Sequence, residues 1–284
     1  MPTNTTRVWE LTAREAVTEL LLDDRSSMDA ISRQLPEGFY TTFRTYAGGT
    51  RVVGLTAHLD RLYGPATAMD LQPACNTKDL RRSLDRLLEL FRPQETRIRI
   101  SLDVSTGHFF VAILPLELPP PETYELGVRV VTTQVQRDAP LLKKTSFITE
   151  SQTERTSVAR ASALEGLIVQ AGRILEGLTS NFFYVREQDL GTAGRGVLRG
   201  VTRGEILRIA QEELSLRIRY RALRLVEVPL IQEAFISSSS RGIVPVVQID
   251  VDCIGSGSVG LLTKRLMHAY RQGVLLRAEA ICEA

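Results

Sequence analysis

The sequence has 284 residues, which is more than one compact core usually holds, so we expect two domains. Hydrophobic residues make up 43% and charged residues 24%, and 35 basic and 33 acidic residues leave a formal net charge of +2. This balance excludes a global field that would attract nucleic acid or an anionic membrane, so any anion site must be local.

Cysteine and histidine usage argues against disulfide and metal frameworks. Cys75, Cys253 and Cys282 are far apart and odd in number, which predicts a reduced compartment. Neither HExxH nor CxxC occurs, so we expect no metal site.

The polar start MPTNTTRVWE lacks the apolar region of a signal peptide, and no apolar run approaches the ~18 residues of a membrane helix. We therefore predict a cytoplasmic protein that binds neither nucleic acid nor membrane.

The N-terminal part of the chain predicts a smaller α/β domain. In chain order, the patterns indicate a helix over 13–22, a hairpin of strands 39–46 and 51–56, a helix over 58–71 that Pro65 must kink or interrupt, a helix over 77–91, and a hairpin of strands 97–104 and 108–116.

The segment LELPPPETY, residues 116–124, is the best linker candidate because three consecutive prolines favour an extended, stiff chain. We therefore predict a small domain over 1–118, a linker over 119–124 and a larger domain over 125–284. Within the larger domain, the patterns predict a strand over 127–135, helical residues 154–166, meander strands 165–170 and 181–187, a helix over 201–214, strands 233–240 and 244–250, and a helix over 261–279.

Two constellations carry positive charge. In HLDRL, residues 58–62, an arginine early in a helix can donate two hydrogen bonds to a phosphate, although a solvated helix face would look the same. In APLLKKTSF, residues 139–147, two lysines follow a strand end. A lysine that acts as an amine nucleophile needs partial desolvation and a nearby cation, and the alternative is a pair of surface charges.

Of two further constellations, one contains a carboxylate between apolar strands and the other contains two candidate anion sites. In ILEGLTSNFF, residues 174–183, Glu176 lies between apolar strands, where a carboxylate needs a partner such as a protonated pyridine nitrogen unless it turns to water. Thr202 and Glu205 in VLRGVTRGEIL have capping-box spacing, and a helix start offers free N–H groups to an anion. FISSSSRG adds the hydroxyls of residues 237–240, unless this is a surface turn.

Taken in order, HLDRL, the lysine, LEGLTSNFF, LRGVTR and SSSRGIVPV resemble the class IV aminotransferases, the fold-type IV pyridoxal 5'-phosphate (PLP) enzymes. The matching segments run from about residue 36 to 270, and the first 35 residues do not look like the usual family start. The resemblance implies an α+β fold of two domains with PLP in the cleft between them.

The resemblance also implies a role for nine residues. Lys143 would form the Schiff base and shuttle the α-proton, and Glu176 would keep the pyridine nitrogen protonated. The phosphate would be held by Arg61, the backbone of Val201 and Thr202, and a hydroxyl of Ser239 or Ser240. The substrate would meet Tyr40 in the pocket wall and Arg99 near its carboxylate.

Alternatives stay open at two positions. Family members often carry asparagine or tyrosine shortly after the lysine, where this chain has Thr145, Ser146 and Phe147, and the spacing P-x-x-K and K-x-T-x-F favours Lys143 over Lys144. Many aminotransferases carry glutamate where this chain has Thr41, and the threonine pair there resembles 4-amino-4-deoxychorismate lyases.

Three functions follow from these observations. The first is transfer of an amino group between an amino acid and a 2-oxo acid. The second is a lyase that releases pyruvate, and the third is a non-catalytic protein that retains the fold. The sequence assigns neither the preferred amino donor nor its handedness. By analogy with the family, and because aromatic residues cluster in the small domain, we expect a homodimer.

Overall fold

A computed structural model describes residues 5–12 and 16–282. Contacts within the chain divide it into two compact units of mixed helix and strand, so the fold is α+β with two domains. Among the described residues, unit 1 takes those up to Glu117, Leu142–Glu150 and those from Val274 onward, and unit 2 takes Leu118–Leu141 and Ser151–Gly273. Two short segments beyond the predicted linker therefore group with unit 1. The predicted extent of each domain stays a prediction.

The helices and strands are numbered in chain order. The strands are β1 (Arg7–Leu11), β2 (Val17–Leu20), β3 (Gly38–Arg44), β4 (Arg51–Val53), β5 (Thr96–Asp103), β6 (Phe109–Pro115), β7 (Val128–Thr133), β8 (Glu165–Gln170), β9 (Arg173–Gly177), β10 (Asn181–Arg186), β11 (Asp189–Thr192), β12 (Ile218–Tyr220), β13 (Leu223–Arg224), β14 (Glu233–Ser238), β15 (Gly242–Ile249), β16 (Asp252–Cys253) and β17 (Ala278–Ala280). The α-helices are α1 (Met28–Arg33), α2 (Leu55–Ala68), α3 (Thr77–Glu89), α4 (Pro121–Glu125), α5 (Ser146–Glu150), α6 (Gln152–Arg160), α7 (Val201–Arg208) and α8 (Leu261–Arg277).

Unit 1 is built on an antiparallel sheet in the order β2-β1-β6-β5-β3. Leucines at helical spacing on α2 and α3 are buried in the same core as the sheet residues Phe43, Ile98 and Val111. The predicted helix over 77–91 and the hairpin of β5 and β6 are confirmed. Helix α2 is not interrupted at Pro65, because Leu62 and Ala66 on either side of it are fully buried and this packing offsets the lost hydrogen bond.

One prediction for unit 1 was wrong and another is confirmed only in part. The helix predicted over 13–22 is a strand at 17–20, and residues 13–15 lie outside the described residues. β-branched residues and a cross-strand pair, Arg7 Nε to Glu19 Oε1 at 2.8 Å, favour this edge strand. The predicted hairpin of β3 and β4 forms only at its turn, where Tyr46 and Arg51 make an isolated antiparallel bridge. Strand β3 pairs with β5, whereas β4 pairs with the C-terminal strand β17, and Arg51 Nε donates to the Ala278 carbonyl at 2.8 Å.

Unit 2 contains a larger sheet in the order β12-β11-β10-β14-β15-β7-β8-β9-β13, with β16 on β15. A further pairing between β9 and β10 closes six of these strands into a ring around a core that includes Leu167, Phe182, Ile236 and Val246. The predicted meander from β8 to β10 is confirmed. Residues 121–125 form the short helix α4 rather than an extended chain, since proline is well suited to the first helical position.

The remaining helices of unit 2 differ from the prediction at their ends. Helix α6 ends at Arg160, and residues from Glu165 onward are strand. Helix α7 continues as a π-helical turn over Ile209–Glu213. In the described part of the chain, no helix is long and apolar enough to cross a membrane, and no cluster of three potential metal ligands occurs.

Candidate active site

The nine predicted site residues fall into two groups, one in each unit. Unit 1 holds four of them: Tyr40, Arg61, Arg99 and Lys143. Unit 2 holds the other five: Glu176, Val201, Thr202, Ser239 and Ser240.

The Lys143 backbone is fixed along the free edge of β3. The Tyr40 N–H donates to the Lys143 carbonyl at 2.8 Å, and the Thr145 N–H donates to the Gly38 carbonyl at 2.9 Å. The Thr145 hydroxyl in turn accepts from the Gly38 N–H at 2.9 Å. Lys143 is half-buried whereas Lys144 is exposed, so Lys143 is the lysine whose amine is partly removed from water.

Tyr40 brings two cations together. Its buried ring lies with its centroid 4.8 Å from Lys143 Nζ and 4.7 Å from Arg99 Cζ, both within the range of a cation–π contact. Three of the residues predicted in unit 1 are therefore neighbours around one aromatic ring.

The Arg99 guanidinium is held by helix α1 and by β3. Its Nε donates to Thr42 Oγ1 at 3.0 Å, and its Nη1 lies 2.7–3.0 Å from three acceptors, which are the Met28 carbonyl, Asp29 Oδ1 and Ser32 Oγ. Of its three nitrogens, only Nη2 makes no hydrogen bond to the part of the chain that the structure describes. A substrate carboxylate would therefore meet Nη2, and the predicted role stays a prediction.

His58 is a site residue that the sequence interpretation missed. Its Nδ1 lies 2.6 Å from Thr41 Oγ1, and its ring centroid lies 5.0 Å from that of Phe43. Burial, and then the charges of Arg61 and Lys143, hold the pKa of His58 well below its ordinary value of 6.5. The signal was present in the sequence, because His58 precedes Arg61 by one helical turn and Thr41 and Phe43 share one face of a strand.

Glu176 is buried at the end of β9. Its Oε2 accepts from the Leu198 N–H at 3.0 Å and from Asn181 Nδ2 at 3.2 Å, and its Oε1 lies 3.5 Å from Arg137 Nη1. These donors and the nearby guanidinium stabilise a charged carboxylate inside the protein. Glu176 therefore does not turn to water, and Arg137 and Asn181 are partners that the sequence interpretation did not name.

Asn181 joins the two motifs LEGLTSNFF and LRGVTR. Its Nδ2 also donates to the Leu198 carbonyl at 2.8 Å. A Cβ on Gly200 would lie 2.1 Å from Asn181 Oδ1, so only glycine allows this close approach. The glycine of the second motif thus keeps the asparagine of the first beside Glu176.

Helix α7 begins at Val201, with Gly200 as its N-cap. The predicted capping box of Thr202 and Glu205 is wrong, because Thr202 is already inside the first turn and Glu205 pairs with Arg208 at 3.0 Å. The Thr202 hydroxyl instead donates to Ser239 Oγ at 3.2 Å. Since the first N–H groups of a helix have no partner within it, this turn and the half-buried serines offer several donors to an anion.

A polar row crosses three neighbouring strands of unit 2. Glu176 on β9 is paired with Asn181 on β10, which is paired with Ser237 on β14. Ser237 is buried, and its hydroxyl has no hydrogen-bond partner in residues 5–12 and 16–282. A buried hydroxyl of this kind can donate a hydrogen bond to a ligand or to a water molecule.

Comparison with known proteins shows the family to which the chain belongs. The family model "Amino-transferase class IV" matches residues 38–249, so the chain belongs to this family. The chain is 26% identical to a D-alanine aminotransferase of Bacillus licheniformis over 258 residues, which cover 85% of this chain and 89% of that protein.

Two solved structures share the fold, which is that of the fold-type IV enzymes. A putative branched-chain amino acid aminotransferase from Thermotoga maritima superposes with a TM-score of 0.79 at 26% identity, covering 95% of this chain and 96% of that one. The branched-chain amino acid aminotransferase from Thermobaculum terrenum, in its PLP form, gives a TM-score of 0.78 at 19% identity, covering 98% of each of the two chains.

Proposed function

We propose that this chain is a PLP-dependent aminotransferase that moves an amino group between an amino acid and a 2-oxo acid. One observation carries the proposal within a chain of this family. Lys143 is a half-buried lysine whose backbone is anchored to a sheet edge and whose Nζ faces the Tyr40 ring.

The residues present fit PLP. The first turn of α7, with the backbone of Val201 and Thr202 and the hydroxyls of Ser239 and Ser240, would hold its phosphate. The buried Glu176 carboxylate would hold the ring nitrogen. In unit 1, Arg61 would add a cation for the phosphate and Lys143 would bind the cofactor covalently.

When bound, PLP supplies an aldehyde that captures the amino group and a ring that withdraws electrons from the α-carbon. Lys143 Nζ would then accept the α-proton and donate it again at a later stage of the amino transfer. The neutral amine of Lys143 is the form that attacks and accepts a proton.

Glu176 would keep a proton on the ring nitrogen. Its carboxylate is held in place by Leu198 and Asn181, so that the carboxylate need not reorient during the reaction. Tyr40 would form a wall of the substrate site, and Arg99 Nη2 would bind the substrate carboxylate.

Cellular location and assembly belong to the same proposal. None of the three cysteines forms a disulfide bond within the described chain, which supports the cytoplasm. By analogy with the family we propose a homodimer, for which sedimentation of the PLP-loaded protein would show a single species of two chains. The relatives include a D-alanine aminotransferase and branched-chain amino acid aminotransferases, so a panel of L- and D-amino acids is needed to find the substrate.

The decisive experiment maps the lysine. Borohydride reduction of the PLP-loaded protein, followed by peptide mapping, should place the label on Lys143. Lys143→Ala should lower turnover by at least about 100-fold, because covalent binding and proton transfer are both lost. The matched control Lys144→Ala should retain label and turnover. A label on Lys144 would overturn the assignment, and pyruvate release without a 2-oxo acid acceptor would favour the lyase.

A further inference from the structure

Unit 2 contains a surface cavity of about 280 Å³ that includes none of the residues proposed for PLP. It lies over β10, β11 and β12 at one end of the larger sheet, and its charged lining residues are Arg186, Arg219 and Arg221 together with Glu187, Asp189 and Glu227. Its lining is mainly polar, so a ligand would be recognised by charge and hydrogen bonds.

The floor of the cavity is a rigid row across the three strands. Tyr184 is paired with Gly191, which is paired with Arg219. A Cβ on Gly191 would lie 2.1 Å from Tyr184 Cζ, so the tyrosine ring crosses the strand at the glycine. The Tyr184 hydroxyl donates to the Arg221 carbonyl at 3.0 Å, which fixes the backbone that carries one of the arginines.

Three arginines converge on the buried carboxylate of Glu227. Arg221 donates to both of its oxygens at 3.0 and 3.1 Å, and Arg186 and Arg224 donate to Oε1 at 3.2 Å. Hydrogen bonds from Arg221 and Arg224 lower the pKa of Glu227 to about 2, so this carboxylate is charged at neutral pH. One negative charge is thus surrounded by three positive charges.

The other two acidic residues of the cavity are also paired with arginines. Asp189 pairs with Arg219 and lies 3.5 Å from Arg217, while Glu187 lies 3.4 Å from Arg186. Three guanidiniums and three carboxylates line the cavity, and Arg217 and Arg224, which pair with Asp189 and Glu227 outside this lining, bring the cluster to five guanidiniums around three carboxylates. Each guanidinium carries five N–H donors, and these ion pairs occupy only some of them. The side chains of Arg219 and Arg221 are 51% and 41% exposed, so their remaining donors are accessible to a ligand.

We propose that this cavity binds a phosphate group, either free inorganic phosphate or the phosphate monoester of a small metabolite. A phosphate carries the charge that offsets the excess of the cluster. Its oxygens point in several directions and can accept from several guanidiniums at once. The site is independent of the proposed aminotransferase activity.

Titration calorimetry on PLP-saturated protein tests the proposal, because PLP then occupies the anion site at the start of α7. Inorganic phosphate and glycerol 3-phosphate are titrated separately at low ionic strength, which limits screening. We expect saturable binding of at least one probe, and the tighter one identifies the source of the phosphate.

Charge variants test which residues bind the probe. Arg219→Gln should weaken binding about tenfold or more, since a hydrogen bond to a charged group contributes about 1.5–3 kcal/mol. Glu187→Gln removes a competing negative charge and should tighten binding. Arg160→Gln, at the exposed end of α6, removes a positive charge elsewhere in unit 2 and should change nothing.

Two results would overturn the proposal. One is the absence of saturable heat from the wild-type protein with either probe up to about 10 mM, which is roughly ten times a millimolar Kd. The other is equal affinity in the wild-type protein and Arg219→Gln. The arginines would then only shield the edge strand β12 from pairing with other chains.

Discussion

The neutral His58 makes a specific prediction about pH. In the folded protein its pKa lies well below 6.5, because the ring is buried and Arg61 and Lys143 are nearby. In the unfolded chain the pKa returns to about 6.5, so below this pH the unfolded state takes up a proton that the folded state does not. The contribution of the neutral, buried His58 to the free energy of unfolding is therefore fully present above pH 6.5, and it is lost as the pH falls below this value.

The magnitude follows from linkage. Uptake of one proton by the unfolded state lowers the free energy of unfolding by at most about 1.4 kcal/mol per pH unit, which gives a loss of about 1.4 kcal/mol between pH 7.5 and 5.5. His58→Gln retains a side chain that can hydrogen-bond to Thr41 but cannot titrate. The variant should therefore lose that much less stability than the wild-type protein over the same interval.

Trp9 provides the assay, because it is the single tryptophan and is buried in the same core of unit 1. Urea unfolding, followed by the fluorescence of Trp9 at several pH values, gives the change of the free energy of unfolding with pH for the wild-type protein and for His58→Gln. His268→Gln, which removes an exposed imidazole, should keep the wild-type slope. Parallel curves for the wild-type protein and His58→Gln would refute the claim that His58 is neutral because it is buried.

Two further predictions concern packing in each unit. Gly200→Ala should destabilise unit 2 by about 1–3 kcal/mol and weaken PLP retention, because the new methyl meets Asn181 Oδ1. Gly204→Ala, whose Cβ meets nothing within 4 Å in the described chain, should stabilise it by about 0.5–1 kcal/mol, and equal losses would refute the clash. Arg99→Lys should destabilise unit 1 by about 2–4 kcal/mol in the Trp9 assay, because one ammonium cannot reach all four acceptors. Exposed Arg25→Lys should change the stability by less than about 0.5 kcal/mol, and an equal effect of both changes would contradict the role given to Arg99.

Elements with a strong local signal were predictable from the sequence. Helix α3 has leucines at regular helical spacing, and β5 and β6 are joined by a short turn, so each carries its own evidence. The partner of β4 was not predictable. It pairs with β17, more than 200 residues further along the chain, and the local pattern of 39–56 resembles an ordinary hairpin.

The candidate site shows the same division. Family motifs indicated Lys143 and Glu176, but not what surrounds them. Asn181, Leu198 and Arg137 reach Glu176 from separate strands and loops, and their approach depends on tertiary structure. The capping-box prediction failed for a related reason. The hydroxyl of Thr202 is used by Ser239, a partner from another part of the chain, rather than by the helix itself.

The placement of Tyr40 couples the proposed nucleophile to the proposed substrate residue. Its backbone N–H holds the Lys143 carbonyl, and its ring contacts both the Lys143 amine and the Arg99 guanidinium. Arg99 is in turn fixed by α1, a helix from the region that does not resemble the usual family start. Arg99 and Tyr40 thus form a continuous series of contacts from α1 to Lys143. Residues of α1, which precede residue 35, therefore help to fix the surroundings of Lys143.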